Sequence, residues 1–240
     1  MLANRNDDVC PQCDGTGWER AETGVRRCPC WEARHPAAPG LPLWCRSTTR
    51  ASIPSSAANA GILTRALAWL DVAARPRPDL YLHGPVGTGK TTVAAMLLNE
   101  LHAQRVPTFF IPVQKLLQAQ RNAMDLADLK RDAYDLQCRV CSVDVLVLDD
   151  VGGGEKNSDY SRSVLTSVLD DRLAAGHTTL WTSNLDIRRL QDFYGDGRLP
   201  SRIVGACDGH IFEFQGEDHR LGRHRRRVAL VRPTQLRTTT

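Results

Sequence analysis

The sequence predicts an α/β fold, a parallel sheet with helices on both faces, preceded by a small cysteine-rich module. Three observations carry this. Residues 84–91 read Gly-Pro-Val-Gly-Thr-Gly-Lys-Thr, which satisfies the pattern G-x-x-x-x-G-K-[ST] at every position. From residue 61 onward, short apolar runs alternate with segments of helical periodicity, as strands joined by crossover helices do. Four of the eight cysteines cluster near the start, as Cys10-Pro-Gln-Cys13 and Cys28-Pro-Cys30.

The elements follow in order. Residues 1–45 are rich in Cys, Gly and Pro and lack helical periodicity, so they form the separate module. Residues 46–60 (RSTTRASIPSSAANA) read as a flexible polar linker. The main domain then spans 61–231, and 232–240 is a disordered tail. Ile62, Leu63, Ala66, Leu67 and Leu70 make one helical stripe. Pro76 and Pro78 break the chain before a strand at Leu80–His83. The glycine-rich turn and a helix (92–101, TVAAMLLNEL) follow. A strand is expected at Thr108–Ile111, helices at 113–124 and 126–136, and a buried strand at 144–148. A helix over 161–175, a strand over 178–181, a short helix over 187–193 and a last strand over 211–214 complete the domain.

Composition bounds the class. Hydrophobic content of 42% and charged content of 24% are ordinary for a globular protein. No apolar run approaches the roughly 18 residues of a membrane span. The N-terminus has no apolar stretch of the kind a secretory signal needs, so a cytoplasmic location is expected. Eight cysteines in such a chain argue for metal or free thiols rather than disulfides. Net charge is only +4, but Arg220, Arg223, Arg225, Arg226, Arg227 and Arg232 crowd the C-terminus. That block suits nucleic acid or a solvated tail.

The glycine-rich turn sits where phosphate chemistry needs it. Glycines let the backbone curl so that its N–H groups converge on an anion, and the following helix N-terminus adds partial positive charge. Gly84, Pro85, Val86, Gly87, Thr88, Gly89, Lys90, Thr91 and Thr92 would hold ATP. Lys90 would reach the β- and γ-phosphates, and Thr91 would offer its hydroxyl to Mg²⁺. About 60 residues later, Val145-Leu146-Val147-Leu148 runs into Asp149 and Asp150. Ligands of parallel sheets bind at strand C-termini, so these carboxylates fall beside the phosphates. Asp149 is the expected Mg²⁺ partner and Asp150 the expected polariser of the attacking water. The next strand ends Trp181-Thr182-Ser183-Asn184. Asn184 is expected to hold the water or the γ-phosphate, with Thr182 as its rival. A helix-capping role for Asn184 is the alternative.

Cys10, Cys13, Cys28 and Cys30 offer four thiolates, the set that structural Zn²⁺ prefers. An iron–sulfur cluster and free thiols are the alternatives. A module this small cannot bury a core, so metal binding would supply its folding energy. Cys138-Arg139-Val140-Cys141 is a second such pair, with no third ligand nearby, and reads as structural.

Taken together, these pieces resemble the AAA+ P-loop ATPases. More narrowly, they are similar to bacterial replicative-helicase loaders of the DnaC/DnaI type, with the IstB transposition ATPases as close kin. The resemblance covers about residues 61–231. It rests on Gly84–Thr91, Leu146–Gly152, Arg162–Leu165, Thr182–Leu185 and Gly197-Arg198-Leu199-Pro200-Ser201-Arg202-Ile203. It implies that Arg202, with Arg198 one turn earlier, is an arginine finger acting on a neighbouring subunit. It also implies that Arg220 senses bound nucleotide, that the chain self-associates with ATP, and that no separate helical lid follows. In such loaders a Cys-rich module docks on the helicase. The resemblance therefore implies an ATPase that loads a hexameric replicative DNA helicase onto single-stranded DNA. A transposition ATPase choosing duplex targets is the alternative. The Cys-x-x-Cys-x-Gly-x-Gly run also resembles the zinc repeats of Hsp40 chaperones, although only one repeat is present. A chaperone-like adaptor is disfavoured by the intact Lys90, Thr91, Asp149 and Asp150.

Overall fold

The computed structural model describes residues 10–14, 16, 18–21, 24–28, 30, 37–50, 53, 59–72, 76–154 and 159–219. Arg220, the arginine block and the 232–240 tail lie outside the described residues. Near the N-terminus, β1 (Trp18–Ala21) and β2 (Gly24–Arg27) form an antiparallel ribbon between the two cysteine pairs. The main sheet comprises β3 (Leu80–His83), β4 (Thr108–Pro112), β5 (Val145–Val151), β6 (Thr178–Ser183) and β7 (Ile211–Glu213). Its order is β4-β5-β6-β3-β7, and every pairing is parallel. The helices are α1 (Ala60–Leu70), α2 (Lys90–Ala103), α3 (Val113–Asp125), α4 (Lys130–Ser142), α5 (Asp159–Ala174), α6 (Ile187–Tyr194) and α7 (Arg198–Cys207). No helix among the described residues is long and apolar enough to cross a membrane.

Two-residue periodicity divides the core into two layers. Leu80, Leu82, Phe110, Val145, Val147 and Leu180 face α1 and α2. Tyr81, Phe109, Ile111, Leu146, Leu148 and Trp181 face the opposite way, against α3 to α7. Both faces are covered, as the near-continuous apolar runs of the strands require.

Three features depart from the sequence pattern. Periodicity alone ends a helix at Leu136; in the structure the chain makes a 3₁₀ turn at Ala127–Leu129 and α4 then runs on to Ser142. Buried Val140 continues the stripe begun by Ala133, which is why the helix persists. Cys138 and Cys141 therefore stand on a helix, the first exposed and the second half-buried.

The second departure concerns the stretch before α1. Ala38, Leu41 and Cys45, from the cysteine-rich stretch, lie in the core of the main domain. Thr48 and Asn59, from the polar segment after it, are buried too. The cause lies in α2, which buries Val93 to Leu98 and Leu101 and so is apolar all round. Its outer side needs a cover, and this strap supplies part of it. Asn99 on α2 clamps the strap, accepting from the Ala38 N–H (3.0 Å) and donating to the Thr48 carbonyl (3.2 Å). The Phe110 N–H donates to the Pro39 carbonyl (2.9 Å), which caps edge strand β4.

The third is a buried polar cluster at the N-terminal ends of the strands, away from the glycine-rich turn. Arg172 is fully buried and donates to the carbonyls of Val140 (2.7 Å), Val143 (2.9 Å) and Thr178 (2.5 Å) and to the Thr179 hydroxyl (2.9 Å). Asp79 accepts from the Thr179 N–H (2.7 Å) and the Trp181 indole (3.1 Å), and burial pushes it up to about 6.

Candidate functional site

Residues 84–89 link the C-terminal end of inner strand β3 to the start of α2. Gly84, Gly87 and Gly89 all have positive φ, at 136°, 76° and 102°. At Gly84 a Cβ would stand 2.2 Å from the Phe214 carbonyl oxygen, so that position admits glycine alone. Lys90 opens α2 with its side chain turned back beneath the turn. Its ammonium donates to the carbonyls of Gly84 (2.8 Å) and Pro85 (2.7 Å). The turn is thus a curled backbone wrapped around a buried cation, beside a helix N-terminus.

The carboxylates arrive from β5. Asp149 Oδ1 accepts from the Thr91 hydroxyl at 2.8 Å and from the Thr182 hydroxyl at 2.6 Å. Burial pushes Asp149 above the usual carboxylate range, while the hydroxyl donors of Thr182 and Thr91 oppose this. Asn184 Nδ2 donates to Asp150 Oδ1 at 3.0 Å. The cap of α6 is Asp186, whose carboxylate accepts from the Arg189 N–H at 2.8 Å. Asn184 therefore faces Asp150, and the capping alternative belongs to Asp186. Two loops, from β3 and β5, and the end of β6 thus converge on one spot.

Arg198 and Arg202 lie on α7. Arg202 sits 3.2 Å from Asp170 of α5, and the largely exposed Arg198 sits 3.6 Å from Asp196. Asp170 lies on α5 and Asp196 in the α6–α7 connection, so these ion pairs do not involve the glycine-rich turn.

Two further segments reach the turn. The segment after β7 closes on the turn, with the His219 N–H donating to the Gly87 carbonyl at 3.1 Å and the Asp218 carboxylate packed against Gly87. Asn59 pairs with the Gln215 backbone in both directions (2.9 and 3.0 Å). Beside Asn59, a small recess is lined by Ile53, Leu63, Val93 and Phe214 and reaches Thr88 and Gly89.

The four N-terminal cysteines also come together. Their sulfurs all lie within 4.8 Å of one another, with Cys10 and Cys28 3.7 Å apart and Cys13 and Cys30 3.3 Å apart. Metal–sulfur bonds of about 2.3 Å in a tetrahedron place sulfurs about 3.8 Å apart, so the set fits such an ion. The Gln12 N–H lowers the Cys10 thiol to about 7, while desolvation raises Cys28 and Cys30. Cys141 contacts Gln137 (3.5 Å) and Asp171 (3.8 Å) but gathers no comparable set among the described residues.

A parallel five-stranded sheet with a phosphate turn after an inner strand, and carboxylates at the end of a strand two places away, defines a P-loop fold of the AAA+ type. Solved structures agree on the fold. DnaI gives a TM-score of 0.62 at 20% identity over 76% of this chain and 95% of that one. The DnaC helicase loader gives 0.62 at 20% identity over 72% of this chain and all of that one. Residues 58–227 match the family described as IstB-like ATP binding protein, and the chain belongs to that family. Two curated relatives narrow the neighbourhood. The replicative helicase loader DnaI of Bacillus subtilis is 27% identical over 115 residues, 48% of this chain and 36% of that protein. The ATP-binding protein of insertion sequence IS1162 from Pseudomonas fluorescens is 34% identical over 111 residues, 46% of each. The match thus spans less than half the length of either relative. The family is one of ATP-binding proteins, and Lys90, Thr91 and Asp149 are placed where they would hold ATP with Mg²⁺.

Proposed function

We propose that this chain is an ATP-dependent loader that places a hexameric replicative DNA helicase onto single-stranded DNA in the cytoplasm. The observation that carries this reading is the presence of a four-thiolate cluster and a complete nucleotide site in one chain. The likeness to the loader DnaI supports it. In this reading the stretch carrying Cys10, Cys13, Cys28 and Cys30 is a zinc module that docks on the helicase, residues 61–231 are the ATPase, and the strap from Ala38 to Thr48 packs on the ATPase core rather than belonging to the module.

Gly84–Thr92 hold the phosphates, with Lys90 as the charge partner of the β- and γ-phosphates. Thr91 and Asp149 hold the Mg²⁺ site, where the metal neutralises phosphate charge. Asp150 orients and deprotonates the attacking water, and Asn184 keeps the Asp150 carboxylate turned toward it. Arg202, aided by Arg198, completes the site of a neighbouring subunit, and Arg220 reads the bound nucleotide. ATP binding would stabilise an assembly gripping DNA and helicase, and hydrolysis would release it.

Asp150→Asn tests the chemistry. The change keeps shape and removes the negative charge, so ATP binding should stay near wild type. Turnover should drop by about 10²–10⁴-fold, the range for a lost general base. A steady-state phosphate-release assay beside an ATP-analogue titration checks both halves, and full turnover would move the base elsewhere.

The cysteine cluster should carry about one Zn²⁺ per chain through Cys10, Cys13, Cys28 and Cys30. Elemental analysis of Cys10→Ser/Cys13→Ser should show the metal gone while ATP binding persists. Equal zinc in both proteins would defeat the assignment.

The 34% identity to the IS1162 ATP-binding protein favours a second reading, an ATPase that selects duplex targets for transposition. Binding assays with single-stranded and duplex DNA in the presence of ATP separate the two. A clear duplex preference, with a transposase as the copurifying partner, would replace the loader reading.

A further inference from the structure

We propose that Thr182 is the positioning residue of the carboxylate pair: its hydroxyl fills a bulge between β5 and β6 and thereby sets both Asp149 and Asp150. This rests on reading residues 84–91 and 149–150 as an ATP and Mg²⁺ site.

The β5–β6 ladder is regular through Leu148 opposite Trp181 and resumes at Val151 opposite Ser183. Asp149 and Asp150 together therefore oppose Thr182 alone, which is a β-bulge. A bulge leaves backbone groups without ladder partners, and a buried N–H left alone is costly. Here the Asp150 N–H donates to the Thr182 hydroxyl at 2.9 Å. Asp150 itself has φ +63°, a left-handed conformation uncommon outside glycine that needs external support.

The same hydroxyl still has a proton to give, and it gives it to Asp149 Oδ1 at 2.6 Å. Thr91, the second residue of the phosphate helix, donates to that same oxygen at 2.8 Å. One side chain thus satisfies the bulge, supports the strained backbone of Asp150 and fixes the rotation of Asp149 against Thr91. Thr182 is 1% exposed and in register with Leu82 of β3, just ahead of the phosphate turn. It links the strand that carries the turn to the strand that carries the carboxylates. Asn184 then acts two residues further on, from the outer side, on Asp150 Oδ1.

The chemistry demands a group that accepts and donates at once, within the volume of a strand side chain. Serine meets that demand. Valine has the shape of threonine and can do neither.

The experiment compares wild type, Thr182→Val and Thr182→Ser. Affinity for a fluorescent ATP analogue is measured first with EDTA and then through a Mg²⁺ titration, alongside turnover and thermal melting. Both variants should bind the analogue without metal within about twofold of wild type. In Thr182→Val the Mg²⁺ concentration giving half-maximal enhancement should rise about tenfold to a hundredfold, the scale of a hydrogen bond to a charged group. Turnover should fall with it. Thr182→Ser should restore both. A packing role would lower the melting temperature of Thr182→Ser, which loses the methyl group, and leave the Mg²⁺ dependence of both variants unmoved. Wild-type Mg²⁺ dependence in Thr182→Val, or equal impairment in Thr182→Ser, would overturn the proposal. If Thr182→Val fails to melt cooperatively, Thr182→Cys, near serine in size but a weak donor, takes its place with the same expected shift. Absence of analogue binding by wild type would overturn the ATP reading itself, whereas intact binding with unchanged metal dependence in the variants would overturn this proposal alone.

Discussion

Lys90→Ala should abolish nucleotide binding. The ammonium is buried beneath the turn and held by the carbonyls of Gly84 and Pro85, at the centre of a curled backbone that offers only N–H dipoles besides. Alanine leaves the helix intact, since it is the strongest helix former. It removes the one cationic side chain of residues 84–91, and charge-assisted contacts to phosphate are the strong ones. Two such contacts at about 1.5–3 kcal/mol each correspond to a loss of at least about a hundredfold in affinity. A fluorescent ATP-analogue titration, with melting curves as a check on folding, reads this directly. Unchanged affinity would reject the site.

Arg202→Ala should bind ATP normally and hydrolyse it poorly. The guanidinium is nearly half exposed on α7, paired with Asp170 of the same chain at 3.2 Å. An exposed pair of this kind adds little to stability, so the variant should fold. Its position on an outer helix, with a partner it can leave, suits a group that completes a neighbour's site. Fingers that dominate catalysis are worth about 10³–10⁵-fold, and a smaller loss is expected of a slow ATPase. Mixing Arg202→Ala with Lys90→Ala should restore part of the activity, because one protein contributes the ATP site and the other the finger. No rescue at any ratio, under conditions where wild type self-associates with ATP and DNA, would assign Arg202 a role within its own subunit. Arg198 would then be examined in the same way.

Much of the fold is legible in the chain because its signals are local. The turn residues of 84–91 specify a backbone that only glycines can trace at positive φ, and the strand that precedes them is a plain apolar run. The strand before Asp149 is equally clear, since Val145 to Leu148 have no polar interruption. Parallel pairing then follows from the helices between strands, and with it the meeting of strand C-termini where ligands bind. The two Cys pairs are legible for the same reason: close spacing along the chain already limits how far apart the thiols can lie.

Other features depend on partners distant in sequence. The role of Ala38 to Thr48 as a strap is visible only once α2 is seen to be apolar on every side, with Asn99 turned outward to hold it. The turn of Asp218 and His219 onto Gly87 joins segments more than 130 residues apart, and no local pattern encodes that contact. The capping role open to Asn184 from the sequence is filled instead by Asp186, whose carboxylate accepts the Arg189 N–H, and Asn184 is left to Asp150.

By itself, then, the sequence determined the parallel α/β architecture, the phosphate turn and the grouping of the cysteines, because each is written in residue types a few positions apart. Tertiary structure alone decided how the carboxylates are held. The bulge that sets two aspartates against one threonine is a matter of register between β5 and β6. Register is a relation between strands that no local pattern encodes, and here a single hydroxyl, donating on one side and accepting on the other, supplies the bonds that the broken ladder cannot.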